Sequence, residues 1–310
     1  MAEPNAYALP DTTGHWVIRY SPEAWRPYLQ LARIDRPIGW QLLLLPCLWG
    51  AALAGVAAHR APDLLQILLF AVGSIAMRGA GSTFNDIVDR DIDLQVERTR
   101  NRPIPSGRVT RKQAAVFLVV QLLIGLAVLL CFNHFTIALA CASLVIVALY
   151  PFAKRVSSWP QAVLGLAFAW GALVAWAAVF GSLAWAPILL YAAAIFWTIG
   201  YDTIYALQDR TDDAVVGIGS TALFFGDKVR FGVEALYAVA LALAVGAVTL
   251  AGGGVWAWLG VAAFGCHLAW QVFRIAPEST TRSLDLFRAN RYAGLMLFAG
   301  LAVQALSARL

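Results

Sequence analysis

Nine runs of predominantly apolar residues, at about 38–58, 64–84, 114–132, 135–152, 161–180, 185–206, 231–250, 253–273 and 291–308, take up most of this chain. An α-helix of about 20 residues spans the ~30 Å hydrocarbon core of a bilayer, so each run is long enough to cross it. The predicted fold class is therefore all-α: a polytopic membrane bundle of about nine transmembrane helices with cytoplasmic cap loops. Of the 310 residues, 60% are hydrophobic and 13% charged, against roughly a quarter charged in a soluble domain. That composition excludes a water-soluble globular enzyme. Many of the runs are rich in Ala and Gly, for example Gly165, Gly171 and Gly181 in the fifth. Small residues let helix backbones approach closely where lipid removes the hydrophobic drive to associate.

The charges lie between the runs. With nine spans, Lys and Arg divide 20 to 2 between the two sides, with Arg78 left inside the second span. The positive-inside rule then puts the N-terminus and all the long loops in the cytoplasm and the C-terminus opposite. The net charge of +5 follows from this topology. No basic stripe with interleaved aromatics is present, so no nucleic-acid partner is expected. Residues 1–36 contain no apolar stretch that reads as a cleavable signal peptide. Trp16, Tyr20, Trp25 and Tyr28 interleave there with Arg19, Arg26, Arg33 and Arg36, the pattern of a segment lying among lipid headgroups. Two regions are thus expected: residues 1–36 as a cytoplasmic interfacial segment and 37–310 as the transmembrane domain. Cys47, Cys131, Cys141 and Cys266 lack CxxC spacing and read as small buried residues.

Two cytoplasmic loops hold ten of the 18 carboxylates. The first, Gly81 to Thr110, continues the second span. If that helix runs on, Asp86, Asp89 and Asp93 fall at i, i+3 and i+7 on one face, with Asn85 beside Asp89. Three carboxylates on one stripe repel one another unless a cation sits between them. The second loop, Tyr201 to Arg230, continues the sixth span and places Asp202, Asp209 and Asp213 at i, i+7 and i+11. Asp212 lies about a quarter-turn away. Each stripe leads into a Gly/Ser pair, Ser106-Gly107 and Gly219-Ser220.

Mg²⁺ prefers oxygen ligands and binds through one or two carboxylates plus phosphate oxygens. Arg90, Arg98, Arg100, Arg102, Arg108, Lys154 and Arg155 supply the base that a polyanion needs. Acid for metal and base for phosphate, at the mouth of an apolar bundle, imply a substrate with a diphosphate head and a lipid tail. The bland alternative, solvated loop charges, suits one stripe far better than two.

NDIVDRDID with RTRNRPIPSG, YPFAKR at 150–155, and YDTIYALQDRTDD with GIGST, together with RIDRPIGWQLLLLPCLWG at 33–50, resemble the UbiA superfamily of intramembrane aromatic prenyltransferases. Within it the chain looks like the branch that prenylates 4-hydroxybenzoate. The resemblance implies an enzyme that transfers a polyprenyl group from polyprenyl diphosphate to that ring, ortho to the hydroxyl, as a step of ubiquinone biosynthesis in a bacterial inner membrane.

It also implies roles. Asn85, Asp86, Asp89 and Asp93, with Asp209 and Asp213, hold Mg²⁺. Asp86, Asp89, Asp209 and Asp213 are the catalytic set. Arg90, Arg98, Arg102, Lys154 and Arg155 take the diphosphate. Arg36 is the expected partner for the carboxylate of the aromatic acid, with Asp202, Tyr201, Tyr205 and Trp40 near its ring. Competing acceptors are a dihydroxynaphthoate, a homogentisate and haem. Competing classes are a cation transporter and a non-catalytic assembly subunit.

Overall fold

The structure is a computed structural model that describes residues 16–95, 99–210 and 219–307, with the backbone alone for Ile18 and residues 151–156. Its regular structure is helical throughout these residues. Short helices α1 (Trp16–Tyr20) and α2 (Arg26–Leu31) precede the long α3 (Ile38–Ala57) and α4 (Leu64–Val88). A single turn, α5 (Arg90–Asp93), follows α4, and then come α6 (Arg111–Leu129) and α7 (His134–Val156). The rod 160–180 is interrupted at Trp170, giving α8 (Pro160–Ala169) and α9 (Gly171–Phe180). After α10 (Trp185–Ala206) come α11 (Thr221–Phe225), a 3₁₀ turn (Gly226–Lys228), α12 (Val229–Leu250), α13 (Val255–Arg274) and α14 (Thr280–Ser307).

Each of the nine apolar runs corresponds to one of these long rods. Seven of the described helices are both long and apolar enough to cross a membrane. The other two rods are α7 and α14. Only the stretch 134–150 of α7 is apolar, and α14 opens with Arg282, Asp285, Arg288 and Arg291 before its apolar half begins. Large aliphatic side chains cover the outward face of α6, with Val116, Val119, Leu123 and Leu126 all exposed. In water such a face would be a liability; in a bilayer it is the lipid-facing wall of an integral membrane protein. Cys47 is buried, as its position suggested, but Cys131, Cys141 and Cys266 are exposed, and none of the four forms a disulfide. A small sulfur side chain is as compatible with lipid as with a core, so apolar surroundings in sequence did not imply burial here.

The chain divides into two compact units, residues 1–41 with 71–130 and residues 42–70 with 131–310. In the first, Leu31, Ile104, Val109 and Ala114 form a buried apolar cluster that draws in Tyr28, Ile87 and Phe117. The Tyr28 and Phe117 rings meet edge-on at 5.3 Å. This pins the loop after α5 and the start of α6 onto α2. Thr110 caps α6 in a reciprocal capping box with Gln113, satisfying helix N–H groups at the headgroup level.

In the second unit, contact between helices depends on missing side chains. The α13–α14 pair meets at Gly260 and Gly300, where a Cβ on Gly260 would lie 2.8 Å from the Gly300 Cα. A Cβ on Gly200 would strike the Tyr237 ring, so α10 and α12 pack face to face.

Polar groups within this unit bond to one another. The fully buried Asn290 receives the Trp197 indole N–H at 2.8 Å through Oδ1. Its Nδ2 donates to Gln271 Oε1 at 3.0 Å, which also accepts from the Tyr237 hydroxyl at 3.1 Å. With no water to compete in hydrocarbon, every such group must be satisfied internally. The network locks α10 to α12, α13 and α14, and so fixes the end of α10 that carries Tyr201 and Asp202.

Gly300→Val is expected to lower stability by about 1–3 kcal/mol through overpacking against Gly260. Gly81→Ala, where the added methyl meets nothing within 4 Å, is expected to leave stability unchanged or slightly raised. Unfolding of the detergent-solubilised proteins measures both.

Candidate active site

The last turn of α4 and the single turn of α5 carry the first acidic stripe. The α-helix stops at Val88, and Asp89 stands at the N-terminal end of α5 without a side-chain cap. Helical pairing nonetheless continues, with Asp89 N–H donating to Asn85 O at 2.8 Å and Asp93 N–H to Asp89 O at 2.8 Å. The expected one-face register therefore holds. Asp86 and Asp89 are fully buried and Asp93 nearly so, while Asn85 is half-buried and Asp91 exposed.

Arginines neutralise this face. Asp86 Oδ1 accepts from Arg33 Nη2 at 2.7 Å and from Arg102 Nη1 at 3.2 Å. Arg102 Nη1 also donates to Asp93 Oδ2 at 2.8 Å. The cation that one-sided carboxylates require is thus, in this structure, a guanidinium held between Asp86 and Asp93. Burial works against the Arg33 charge. The attraction and hydrogen bond of Asp86, with smaller contributions from Asp35 and Asp93, outweigh it and leave the Arg33 pKa above its ordinary value. A buried charge survives only when paired in this way.

The second oxygen of Asp86, Oδ2, is buried and has no hydrogen-bond partner. An ionised carboxylate oxygen out of contact with water and unpaired is costly. It is the kind of hard oxygen donor that Mg²⁺ takes. The residues present therefore fit a divalent cation at Asp86. Among the described residues, no three His, Cys, Asp or Glu side chains close on one point; Arg102 lies between Asp86 and Asp93.

Arg90, expected among the diphosphate-binding residues, points elsewhere. It pairs with Asp91 at 3.1 Å and lines a hollow of about 360 Å³ with Ile104, Gly107, Val109, Thr110 and Arg111. Position 90 lies about 100° round the helix from Asp89, and that rotation takes it off the acidic face. Arg108, by contrast, reaches inward, with Nη1 on Gln30 Oε1 at 2.8 Å. Arg36 is largely buried beside Asp35, Nε to Oδ2 at 3.5 Å. Arg78, in the middle of α4, donates to Ser82 Oγ at 3.0 Å and lies against Gly39, whose hypothetical Cβ would be 2.5 Å from its Nε. A charged side chain at that depth packs where glycine leaves room.

Helix α10 does not run on to Asp209. It ends at Ala206, and Leu207, Gln208 and Asp209 close 3₁₀-type bonds to Ile204, Tyr205 and Ala206. The stretch that carries Asp209 thus tightens to three residues per turn, and Asp213 lies outside the described residues. Tyr201 is buried, its ring edge-on to Trp197 at 4.9 Å and to Phe287 at 5.8 Å, and Tyr205 packs on Phe287 at 4.5 Å. Both tyrosines thus share one aromatic wall at the end of α10. Past the second loop, Ser220 caps α11 through Leu223 N–H at 3.3 Å, as Thr110 caps α6 after the first. Arg98, Glu97, Asp212 and Asp213 lie outside the described residues, as do the side chains of Lys154 and Arg155.

Sequence reasoning passed over Arg33 as a surface anchor, and it passed over Asp35, Gln30 and Phe287 altogether. RIDRPIGW did flag the segment holding Arg33 and Asp35, but alternating charge beside a span reads equally as positive-inside anchoring. Only the fold brings Arg33 to Asp86.

Apolar helices of membrane-spanning length, with buried acid–arginine clusters at their ends, define an integral membrane protein with an ionic site at the span termini. The UbiA prenyltransferase family matches residues 43–299, and the chain belongs to that family. It is 45% identical to the mouse 4-hydroxybenzoate polyprenyltransferase, mitochondrial, over 93% of this chain and 77% of that protein. The human protein of the same name is 43% identical over the same shares. Among solved structures, an apo UbiA homologue from Aeropyrum pernix K1 superposes with a TM-score of 0.71 at 27% identity, covering 85% of this chain and 97% of that one. A UbiA homologue from Archaeoglobus fulgidus bound to DMAPP and Mg²⁺ shares the fold, with a TM-score of 0.65 at 19% identity over 90% and 99% of the two chains.

Arg102→Met, which removes the guanidinium shared by Asp86 and Asp93 while Arg33 still holds Asp86, is expected to cost about 1–3 kcal/mol of stability. Arg111→Met removes an exposed pair with Asp91 and is expected to cost under about 1 kcal/mol. Parallel denaturation of the two variants reads the difference.

Proposed function

We propose that this chain transfers a polyprenyl group from polyprenyl diphosphate to the ring of 4-hydroxybenzoate, ortho to the hydroxyl, with Mg²⁺ as cofactor. The observation that carries this reading is the Asp86 carboxylate, neutralised by two arginines on Oδ1 and left with a buried, partnerless Oδ2. The names of the relatives that share 43–45% of its residues support the choice of acceptor.

Asn85, Asp86, Asp89 and Asp93 of the first acidic stripe, with Asp209 and Asp213 of the second, are the residues assigned to the metal. Bound there, Mg²⁺ supplies positive charge against the diphosphate oxygens. Arg98, Arg102, Lys154 and Arg155 are assigned to the same oxygens, Arg102 moving from its carboxylates. Arg90 is dropped from this set because it faces Asp91. Charge-assisted hydrogen bonds stabilise the anion as the allylic C–O bond breaks and its electron pair departs with the diphosphate. The ring carbon ortho to the hydroxyl then bonds to the allylic carbon, and loss of that carbon's proton restores aromaticity. Apolar helices keep water from the cation during this interval. Arg36 is assigned to the acceptor's carboxylate, with Tyr201, Tyr205 and Asp202 by the ring. Membrane lipid surrounds the spans and delivers the prenyl tail.

A cation transporter would carry its acids near the midplane on broken helices. Asp86 sits instead in the last turn of α4, paired with arginines. The 20-to-2 division of Lys and Arg supports a cytoplasmic N-terminus and cytoplasmic loops in a bacterial inner membrane. Because the relatives named above are mitochondrial, membrane fractionation with topology reporters is the test of that placement.

Purified protein given a polyprenyl diphosphate and each aromatic acceptor, with and without Mg²⁺, is expected to prenylate 4-hydroxybenzoate only when the metal is present. Product from dihydroxynaphthoate and none from 4-hydroxybenzoate rejects the assignment. Asp86→Asn and Asp209→Asn are expected to lose at least about 10²-fold in turnover while remaining folded. Unimpaired function in both would mark a non-catalytic assembly subunit.

A further inference from the structure

Helix α2 ends in a turn whose chemistry is out of place. Arg33 N–H donates to Gln30 O at 3.1 Å and Ile34 N–H to Leu29 O at 3.0 Å, the paired bonds of a Schellman motif. The residue at the left-handed position of that motif is usually glycine, because a Cβ is strained there. Here it is Arg33, at φ 56°. Glycine would close the turn more easily, so the arginine is present for its side chain.

Arg33 is 8% exposed, and both terminal nitrogens of its guanidinium are held. Nη1 donates to Gln30 O at 2.9 Å, and Nη2 donates to Asp86 Oδ1 at 2.7 Å. Gln30 is itself buried and is held through its side chain by Arg108 at 2.8 Å. Arg102 differs, being shared between Asp86 and Asp93 and thus able to exchange partners. Arg33, fixed to a backbone carbonyl, is a strut. It holds Asp86 by Oδ1 and leaves Oδ2 as the buried oxygen with no partner.

We infer that Arg33 is a positioning residue of the reaction. It sets the orientation of Asp86 so that Oδ2 is the oxygen offered to the divalent cation, and it stays on the carboxylate while the other arginines turn to phosphate. This rests on the metal–diphosphate reading given above. Partners that orient a metal-ligating carboxylate commonly change metal affinity by roughly 10–100-fold when removed.

The test uses the full chain in detergent or nanodiscs, with Mn²⁺ and inorganic pyrophosphate as the probe and the electron paramagnetic resonance signal of free Mn²⁺ as the readout. The wild type is expected to bind Mn²⁺ and Asp86→Asn to lose it. Arg33→Gln and Arg33→Gly are expected to weaken Mn²⁺ binding at least about tenfold, with Arg33→Lys partly restoring it. Arg33→Gly is the informative variant, since the φ of this turn suits glycine and the backbone should close normally. Turnover is expected to fall in both variants with the KM for 4-hydroxybenzoate unchanged. Wild-type Mn²⁺ affinity in folded Arg33→Gln and Arg33→Gly, with binding still lost in Asp86→Asn, overturns the role of Arg33 alone. Failure of the wild type to bind Mn²⁺ overturns the metal–diphosphate reading and this inference with it.

Discussion

A carboxylate with no access to water has to be paired, and the first unit is organised round that requirement at Asp86. The energy of leaving an ion unpaired in a low-dielectric interior exceeds any single packing term. Consequently the turn after α2, the end of α4 and the loop before α6 are drawn to one place, contributing Arg33, Asp86 and Arg102 respectively. The apolar cluster of Leu31, Ile104, Val109 and Ala114 holds the same three segments together from the other side. Packing and ion pairing are thus alternative views of one constraint: the loop cannot leave without exposing the cluster and taking Arg102 from Asp86 and Asp93.

The same constraint sorts the arginines by what they can do. Arg33 is committed through both terminal nitrogens, Arg102 divides itself between two acids, and Arg90 and Arg111 share the exposed Asp91. A basic loop that looks uniform in sequence therefore contains a strut, an exchangeable cation and a solvated pair. In the second unit the equivalent organising role falls to neutral groups. Asn290 and Gln271 gather the Trp197 indole and the Tyr237 hydroxyl, and the aromatic wall of Tyr201, Tyr205 and Phe287 follows from where that network sets α10 and α14.

Spans and composition were legible because the bilayer imposes length and apolarity on any helix that crosses it, whatever its neighbours. The first acidic face was legible for a similar reason: α-helical hydrogen bonding persists through Asp89 to Asp93, so counting residues locates the side chains. For the second stripe, α10 ends at Ala206 and 3₁₀-type bonds carry the chain to Asp209, while Asp213 lies outside the described residues. Arg90, one residue along from Asp89, is turned by about 100° and pairs with Asp91 instead.

The sequence by itself determined that this is an all-α membrane protein and that the acid at 86, 89 and 93 shares a face. These follow from local periodicity and from the energetics of putting polar groups in hydrocarbon. Tertiary structure alone decided that Arg33, fifty-three positions from Asp86, is the partner that orients it, and which carboxylate oxygen stays open. Pairings across such separations depend on how helices pack, which no local pattern of residues encodes.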